Sequence, residues 1–378
     1  PQEAVTFGGP RPTSGLLFGR TFRRGLDSNV IMSPLSWVMR NFTEAEAVVQ
    51  RRTQGRWEPV EAHELARTMA RPNPFYGGGL LWRSTVLSYV LDGNAYWQKV
   101  RNVFGEGIGY WYLPHFLVEP RFPFDGSEFI SYYDYRPIGG GPAVRLPVRD
   151  VVHLRQDALD PDNPRKGLSK LRTLLREVFT DEEAANFSAS ILRNMGVPGG
   201  IIAPKDKDAL PNREDAREMK EFMRNAFTGD KRGEWLVLGT PTEIAQFGFD
   251  PNRLMLTNLR DIPEERVCAA IGIPAAVVGF GAGLQQTKVG ATMKELRKEA
   301  WDSCIRPMQN AIAEQVTFQA MGDFQSESSV HRYRVRFDVS NFAASQEEEK
   351  ERADRLAVYV SAGILRVDKA QELAGLEV

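Results

Sequence analysis

The chain has 378 residues, enough for two or three domains or for one elaborated body. Hydrophobic residues make up 42% and charged residues 26%, the balance of an ordinary soluble globular protein. With 48 Lys and Arg against 49 Asp and Glu, the chain lacks the basic excess by which a tight, general nucleic-acid binder neutralises phosphates, though a local patch could still make weak contact.

The first residues, PQEAVTFGGPRPTSGLLFGRTFRRG, have no signal-peptide core. Their Gly, Pro, Ser and Arg predict a flexible arm over 1–30, and the missing initiator Met suggests a trimmed start. SPLSWVMRN predicts a helix with Ser33 as its cap and Pro34 in its first turn. EAEAVVQRRTQGRWEPV predicts two short strands around a Gln-Gly turn. HELARTMARPNPF predicts a helix stopped by Pro72 and Pro74. In GLLWRSTVLSYVLDGNAYW, Leu80, Leu87, Val90 and Leu91 recur at helical spacing, and Asp92-Gly93 marks a stop before a strand. Short strands with turn residues between them follow from 95 to 153, and GGGP at 139–142 reads as a loop.

GLSKLRTLLREVFTDEEAANFSASILRNMG predicts a long helix of about 40 Å, with Leu168, Leu171, Leu174, Leu175, Val178, Phe179, Phe187, Ile191 and Met195 on one face. A compact αβ unit follows: the helix NREDAREMKEFMRNAF, then the turn and strand TGDKRGEWLVLG. LTNLRDIPEERVCAAIG returns as a helix that Pro263 starts or kinks. GFGAGLQQTK breaks the pattern. VGATMKELRKEAWDSCIRPMQNAIAEQVTFQAM is then a second long helix, broken or kinked at Pro307. VHRYRVRFDVSNF alternates, with Tyr333, Val335, Phe337 and Val339 on one face and Arg332, Arg334, Arg336 and Asp338 on the other. SQEEEKERADRLAVYVSAG predicts a helix with a Ser345/Glu348 capping box and Gly363 at its end, and a short helix closes the chain. The fold class that results is α+β.

The chemistry-bearing residues form no catalytic pattern. Cys268 and Cys304 are the only cysteines, both beside apolar neighbours, and read as buried free thiols in a reducing compartment. His63, His115, His153 and His331 lack metal-ligand spacing. No G-x-S-x-G occurs. TDEEAA and EEEKE read as helix first turns and solvated faces, and the strand arginines as a solvated or salt-bridged sheet face. No apolar run reaches the roughly 18–20 residues of a membrane span. The glycine-rich stretch at 279–288 fails as a phosphate loop: the lysine comes five residues after Gly283, and Leu284 stands where a dinucleotide fingerprint has its third glycine. It reads instead as a flexible connector between two helices, with Gln285, Gln286, Thr287 and Lys288 as its polar tip. GDKRGE at 229–234 reads as an exposed basic turn. No cofactor and no enzyme activity is predicted.

Several phrases in one order carry a resemblance: RPNPF (71–75), LDGNAYW (91–97), YLPHFLVEP (112–120), VVHLR (151–155), KGLSKL (166–171), NMGVPGGII (194–202), AAIGIPAAVVG (269–279) and GILRVDKAQELAGL (363–376). From about residue 30 to 378 the chain resembles the portal proteins of tailed double-stranded DNA bacteriophages, in the siphovirus-type branch. The last phrase departs: where the family often has an Asn-Glu-Ala-Arg run, this chain has Asp368, Lys369, Ala370 and Gln371, and its early end suggests a truncated crown.

The resemblance implies a homo-oligomeric ring, usually of about twelve subunits, at one capsid vertex. Double-stranded DNA would pass through the ring without sequence specificity, driven by a large terminase ATPase. Major capsid or scaffolding protein and a head-tail adaptor would be the other partners. The site would be the virion, with assembly in the host cytoplasm and no membrane. It further implies a wing at 31–165, a helix leading into the stem at 166–196 and a clip at 197–252. A return helix at 253–276, a tunnel loop at 277–290, a kinked helix and wing strand at 291–344 and crown helices at 345–378 complete the plan. Gln285, Gln286, Thr287, Lys288 and Val289 would face the DNA, and Lys231 and Arg232 would dock motor or adaptor. In a ring each Lys288 becomes a circle of charge, so a near-neutral chain can still tune a channel. Two other readings compete: a nucleotide-binding enzyme using 279–288, and a monomeric adaptor. ATP binding would favour the first, and absence of a ring the second.

Overall fold

The structure is a computed structural model that describes residues 28–174, 200–204, 217, 242–246, 256–280, 293–339 and 353–374, apart from Glu106, Phe124, Asp157 and Glu327. The chain forms two compact units, Pro1–Thr180 with Asp261–Val378, and Asp181–Arg260. Within the second unit the described strands Gly200–Pro204 and Thr242–Gln246 pair antiparallel. The predicted elements at 175–199, 212–227 and 228–239 lie outside the described residues, apart from the helical Arg217.

The first unit begins with α1 (Asn29–Phe42), which buries Val30, Ile31, Leu35, Val38 and Phe42 along one stripe. It starts earlier than predicted, because the apolar stripe continues upstream of Pro34. Pro34 therefore lies inside the helix, and Ser33 is no cap; its hydroxyl donates to Asn29 Oδ1 at 2.7 Å. The strands β1 (Glu46–Thr53) and β2 (Arg56–Pro59) form the expected hairpin. Gln54 (φ 49°) and Gly55 (φ 84°) supply the two left-handed residues that a tight hairpin of this twist needs. In α2 (Glu64–Ala70), His63 caps the helix by accepting from the Leu65 N–H at 3.1 Å. α3 (Gly78–Asp92) ends where Gly93 turns left-handed (φ 79°), as the Asp-Gly pair predicts. Its buried side matches the predicted stripe at Val90 and Leu91 only. Leu80 is exposed and Leu87 half-buried, while Leu81, Trp82, Thr85, Val86, Ser88, Tyr89, Val90 and Leu91 are buried, so the helix is enclosed on most sides.

Three antiparallel sheets follow. β13 (Tyr333–Asp338) pairs β1, giving the order β13-β1-β2. β3 (Asn94–Arg101) lies between β4 (Gly107–Leu113) and β8 (Val151–Arg155). β6 (Tyr132–Tyr135) lies between β5 (Val118–Arg121) and β7 (Val144–Pro147). β9 (Leu159–Asp160) and β10 (Asn163–Gly167) form a short ladder, and the strands β11 and β12 are the pair in the second unit. Helices and antiparallel strands of this kind make the fold α+β, as predicted. One large core joins α1, α2, α3, β3, β4 and β8 to the later helices. A smaller cluster of Tyr96, Leu113, Val118, Tyr133, Leu146 and Val151 fills the space between the second and third sheets.

α4 (Leu256–Ile271) carries Pro263 internally, and α5 (Ala275–Val278) is one turn. α6 (Met293–Ala300) passes through a π turn at Trp301–Ile305 into α7 (Arg306–Ala320). The predicted break at Pro307 is thus a π turn just ahead of it. Pro307 has no N–H for the carbonyl four residues back, and the wider turn takes up that loss. Lys170–Leu174 is a 3₁₀ turn rather than the start of an α-helix, with Leu171 and Leu174 buried. Cys268 and Cys304 are free and buried, as predicted. Residues 353–361 are helical, Gly363 has φ 71°, and α8 (Val367–Ala374) follows. The Ser345/Glu348 box lies outside the described residues.

Candidate functional site

The glycine-rich stretch leaves and re-enters one buried hub. At the end of α4, Gly272 (φ 93°) donates to Cys268 O at 2.9 Å, and Ile273 donates to the same carbonyl at 3.0 Å. A left-handed residue here turns the chain out of the helix while satisfying its last carbonyls. Pro274 then starts α5, and Gly279 (φ 94°) ends it. Phe280 N–H returns to Ala275 O at 3.3 Å, and the Phe280 ring is buried. On the far side α6 packs beside α5. The Ser303 hydroxyl in the π turn donates to Gly272 O at 2.7 Å. Val267, Cys268, Ile271, Ile273, Phe280, Trp301, Cys304 and Ile305 share one core. Burial at this hub pushes the Cys268 thiol up to about 12, with Glu264 and Glu265 adding to it, so Cys268 stays a thiol. The hub therefore clamps both stems. Ala275–Val278 is helical, so Val277 and Val278, placed in the loop by the sequence reading, belong to a helical turn, and 281–292 lie outside the described residues.

The candidate residues Gln285, Gln286, Thr287, Lys288 and Val289 lie outside the described residues, as do Lys231 and Arg232. The predicted sheet-face arginines are described. Arg334 lies over the Trp57 ring at 4.1 Å and donates to Gln50 Oε1 at 3.0 Å, and Arg336 donates to Asn310 Oδ1. Among the described residues no cluster of three or more His, Cys, Asp and Glu could hold a metal ion. No helix is long and apolar enough to cross a membrane, again among the described residues.

Sequence reasoning missed how α7 splices two sheets. Gln315 and Gln319 each make a two-bond clasp on the open edge of β8. Gln319 Oε1 accepts from His153 N–H and its amide donates to His153 O, both at 2.8 Å. Gln315 Oε1 accepts from Arg155 N–H at 2.7 Å and its amide donates to Arg155 O at 2.8 Å. Four helical residues rise about 6 Å and two strand residues about 6.8 Å, so i, i+4 on a helix can match i, i+2 on a strand. Between them Thr317 Oγ1 accepts from Val335 N–H at 2.8 Å and donates to Ala313 O at 2.7 Å, closing the edge of β13. Gln309 donates to Phe42 O at 3.0 Å, at the end of α1. These polar residues read as helix surface in the sequence. The available signal was the Gln-x-x-x-Gln spacing beside Thr317. The end of α7 is held by Lys99, whose Nζ reaches Gln319 O at 2.6 Å and Asp323 Oδ2 at 2.7 Å, while Arg101 bridges Asp323 and Asp150.

Four of the phrases that carry the resemblance, RPNPF, LDGNAYW, VVHLR and KGLSKL, take part in junctions of backbone against backbone. Gly93 and Gly167 meet closely: a Cβ on Gly167 would lie 2.3 Å from Gly93 O and 2.6 Å from Gln156 N. Asn94 ties them together, accepting from Gly167 N–H at 2.7 Å and donating to Gly167 O at 3.1 Å. Its oxygen is thereby fixed as an acceptor, so His153 Nε2, 3.0 Å away, carries the proton, and Nδ1 accepts from the Tyr133 hydroxyl at 3.2 Å. Burial, with Arg155 and Lys166 nearby, pushes His153 well below its ordinary value and keeps the ring neutral. Ser169 Oγ donates to Leu91 O at 2.8 Å. In RPNPF, Pro72 O accepts from Tyr110 N–H at 2.9 Å, Asn73 donates to Tyr110 O at 3.0 Å, and a Cβ on Gly109 would strike Pro72 O at 2.6 Å.

The geometry is that of a scaffold: two sheets spliced by one helix, beside a hub that holds the residues on either side of 281–292. Residues 30–375 match the family model for the phage portal protein. The chain therefore belongs to the phage portal protein family. Its fold is similar to a chain in the neck of a native GTA particle computed with C12 symmetry (TM-score 0.69, 17% identity, 98% of this chain and 96% of that one). A chain in the virion of a native gene transfer agent particle gives a TM-score of 0.69 at 18% identity, over 98% of this chain and 94% of that one. An HK97-family phage portal protein from Corynebacterium diphtheriae gives 0.59 at 14% identity, over 83% of this chain and 93% of that one. An uncharacterized protein of Rickettsia bellii (strain RML369-C) is 21% identical over 324 residues, covering 84% of this chain and 79% of the relative.

Proposed function

We propose that this chain is one subunit of a structural, non-enzymatic ring, of about twelve copies, at one capsid vertex of a virion. The ring is the channel for packaging and ejecting a double-stranded genome. It is also the docking site for the large terminase, the head-tail adaptor, and capsid or scaffolding protein. The observation that carries this reading is the family match over 30–375, together with the likeness to a neck chain of twelvefold symmetry. Two features support the finer assignments. The hub that clamps both stems of 281–292 suits a tunnel loop whose tip, Gln285–Val289, touches DNA through weak, sequence-blind groups. The separate unit 181–260 suits a clip at 197–252 that meets motor and adaptor through Lys231 and Arg232. Native mass spectrometry with negative-stain imaging tests the ring. A closed particle of about a dozen copies with a central hole is expected. A persistent monomer, even with capsid and scaffolding protein supplied, would sink the reading.

A further inference from the structure

An open groove of about 1050 Å³ runs along the outer side of α7. Asn310, Glu314 and Phe318, spaced four apart on the helix, form one ridge along it. Arg336 donates to Asn310 Oδ1 at one end of that ridge, and Phe318 stands 89% exposed at the other. Phe129 and Val148 add exposed apolar surface from the ends of the third sheet. Arg155, Arg334 and Arg336 line the groove against a single acid, Glu314.

These arginines differ from four other partly buried cations. Lys99, Arg101, Arg121 and Lys166 each meet a carboxylate at 2.9 Å or less. Arg334 and Arg336 instead donate to the neutral oxygens of Gln50 and Asn310, and Arg155 donates to Arg165 O at 2.9 Å. None of the three has a carboxylate partner among the described residues. Burial and the neighbouring Arg336 hold Arg334 below its ordinary value, the mark of two like charges kept together with nothing opposite them.

A guanidinium fork matches a carboxylate or a phosphate through two parallel bonds. Residues two apart on a strand lie about 6.8 Å from each other, so Arg334 and Arg336 suit two anions at that spacing. The rest of the groove chooses between the two kinds of anion. A phosphodiester backbone repeats its charge at every step and would press phosphates against Glu314 and Phe318. An acidic protein segment can place acids at one end only and an apolar side chain at the other. The ridge from Asn310 to Phe318 spans about 12 Å, some four residues of extended chain. The matching pattern is therefore acid-x-acid-x-apolar.

We infer that this groove seats an acidic segment of a partner protein, with two carboxylates on Arg334 and Arg336 and an apolar side chain against Phe318. The groove is complete within one subunit, so this seat stands apart from the ring reading.

Fluorescence anisotropy with the full chain tests it, using labelled Glu-Ser-Glu-Ser-Leu and its reverse, each flanked by serines. At least one of the two should bind saturably. Gln for both Glu, or Ser for Leu, should weaken that binding roughly tenfold, as should Arg334→Gln with Arg336→Gln, or Phe318→Ser, on the protein. Phe318 is exposed, so Phe318→Ser leaves the core untouched and separates lost docking from lost folding. Arg334→Glu with Arg336→Glu should turn the preference to the peptide with Lys in place of Glu. No saturable binding by either peptide, or binding that these substitutions leave unchanged, overturns the inference. So does a single-stranded or duplex DNA oligonucleotide that binds as tightly and is lost with the same arginines. Peptide binding that appears only once Glu347, Glu348 and Glu349 are changed to Gln gives the groove to the chain's own acidic run. Binding by free subunits that vanishes in assembled rings gives it to a neighbouring copy. Either result overturns the partner.

Discussion

At the scale of single residues, glycine shows how position decides cost. Gly167 lies against the backbone of Gly93 and Gln156, groups that cannot rotate away. Gly167→Ala should lower stability by about 3 kcal/mol, read as a drop in urea midpoint. Gly79 is in the first turn of α3 with open space around it, so Gly79→Ala should add roughly 0.5 kcal/mol. Equal effects of the two changes would contradict the junction described above. His153 makes a prediction about pH. Its folded pKa is depressed, so below about 6.5 the unfolded chain takes a proton that the folded one refuses. The neutral ring's contribution is fully present above that value and is lost as pH falls. Between pH 7.5 and 5 this one group should cost about 2 kcal/mol. His153→Gln should flatten the wild-type pH dependence by that amount in denaturation at the two pH values, and an unchanged slope would count against a buried neutral imidazole.

At the scale of elements, α7 behaves as the splice between sheets. Each glutamine clasp satisfies one N–H and one C=O on the edge of β8, and a vacated pair leaves both groups without that partner. Gln319→Leu should therefore cost about 2 kcal/mol, and Gln315→Leu with Gln319→Leu more than either alone. Hydrogen exchange should report it locally, with faster exchange at the amides of His153 and Arg155 while those of β3 stay protected. If the double variant exchanges like wild type at these amides, the splice is not what holds the edge. The π turn at Trp301–Ile305 belongs to the same scale, since it sets the direction in which α6 leaves α7 and hence where the connector is clamped.

At the scale of the whole molecule, the ring reading separates assembly from passage. Replacing Gln285–Val289 with an equal length of Gly and Ser touches none of the buried hub residues. Ring yield should stay at the wild-type level, while the yield of packaged genomes and the conductance of the isolated ring change. Wild-type packaging together with unchanged conductance would remove this segment from the channel. Charge fits the same separation. A near-neutral chain repeated around an axis can present a weak, uniform lining without gripping its cargo.

Much of the fold was legible in the sequence because local rules decide it. The Gln54-Gly55 hairpin, the stop at Gly93 and the alternation of β13 each follow from steric or periodic demands a few residues long. The order of short phrases also carried the family. What only the tertiary structure decided are matters of non-local pairing. The start of α1 upstream of Pro34 and the burial of α3 on most sides depend on what packs against them. Gln309, Gln315 and Gln319 became structural because a sheet edge or a helix end more than a hundred residues away required partners. Thr317 met an edge only 18 residues on, yet nothing in its own neighbourhood announced it. A backbone group's need for a hydrogen bond is fixed by chemistry, but which side chain meets it is fixed by three-dimensional proximity, and one-dimensional spacing does not encode that.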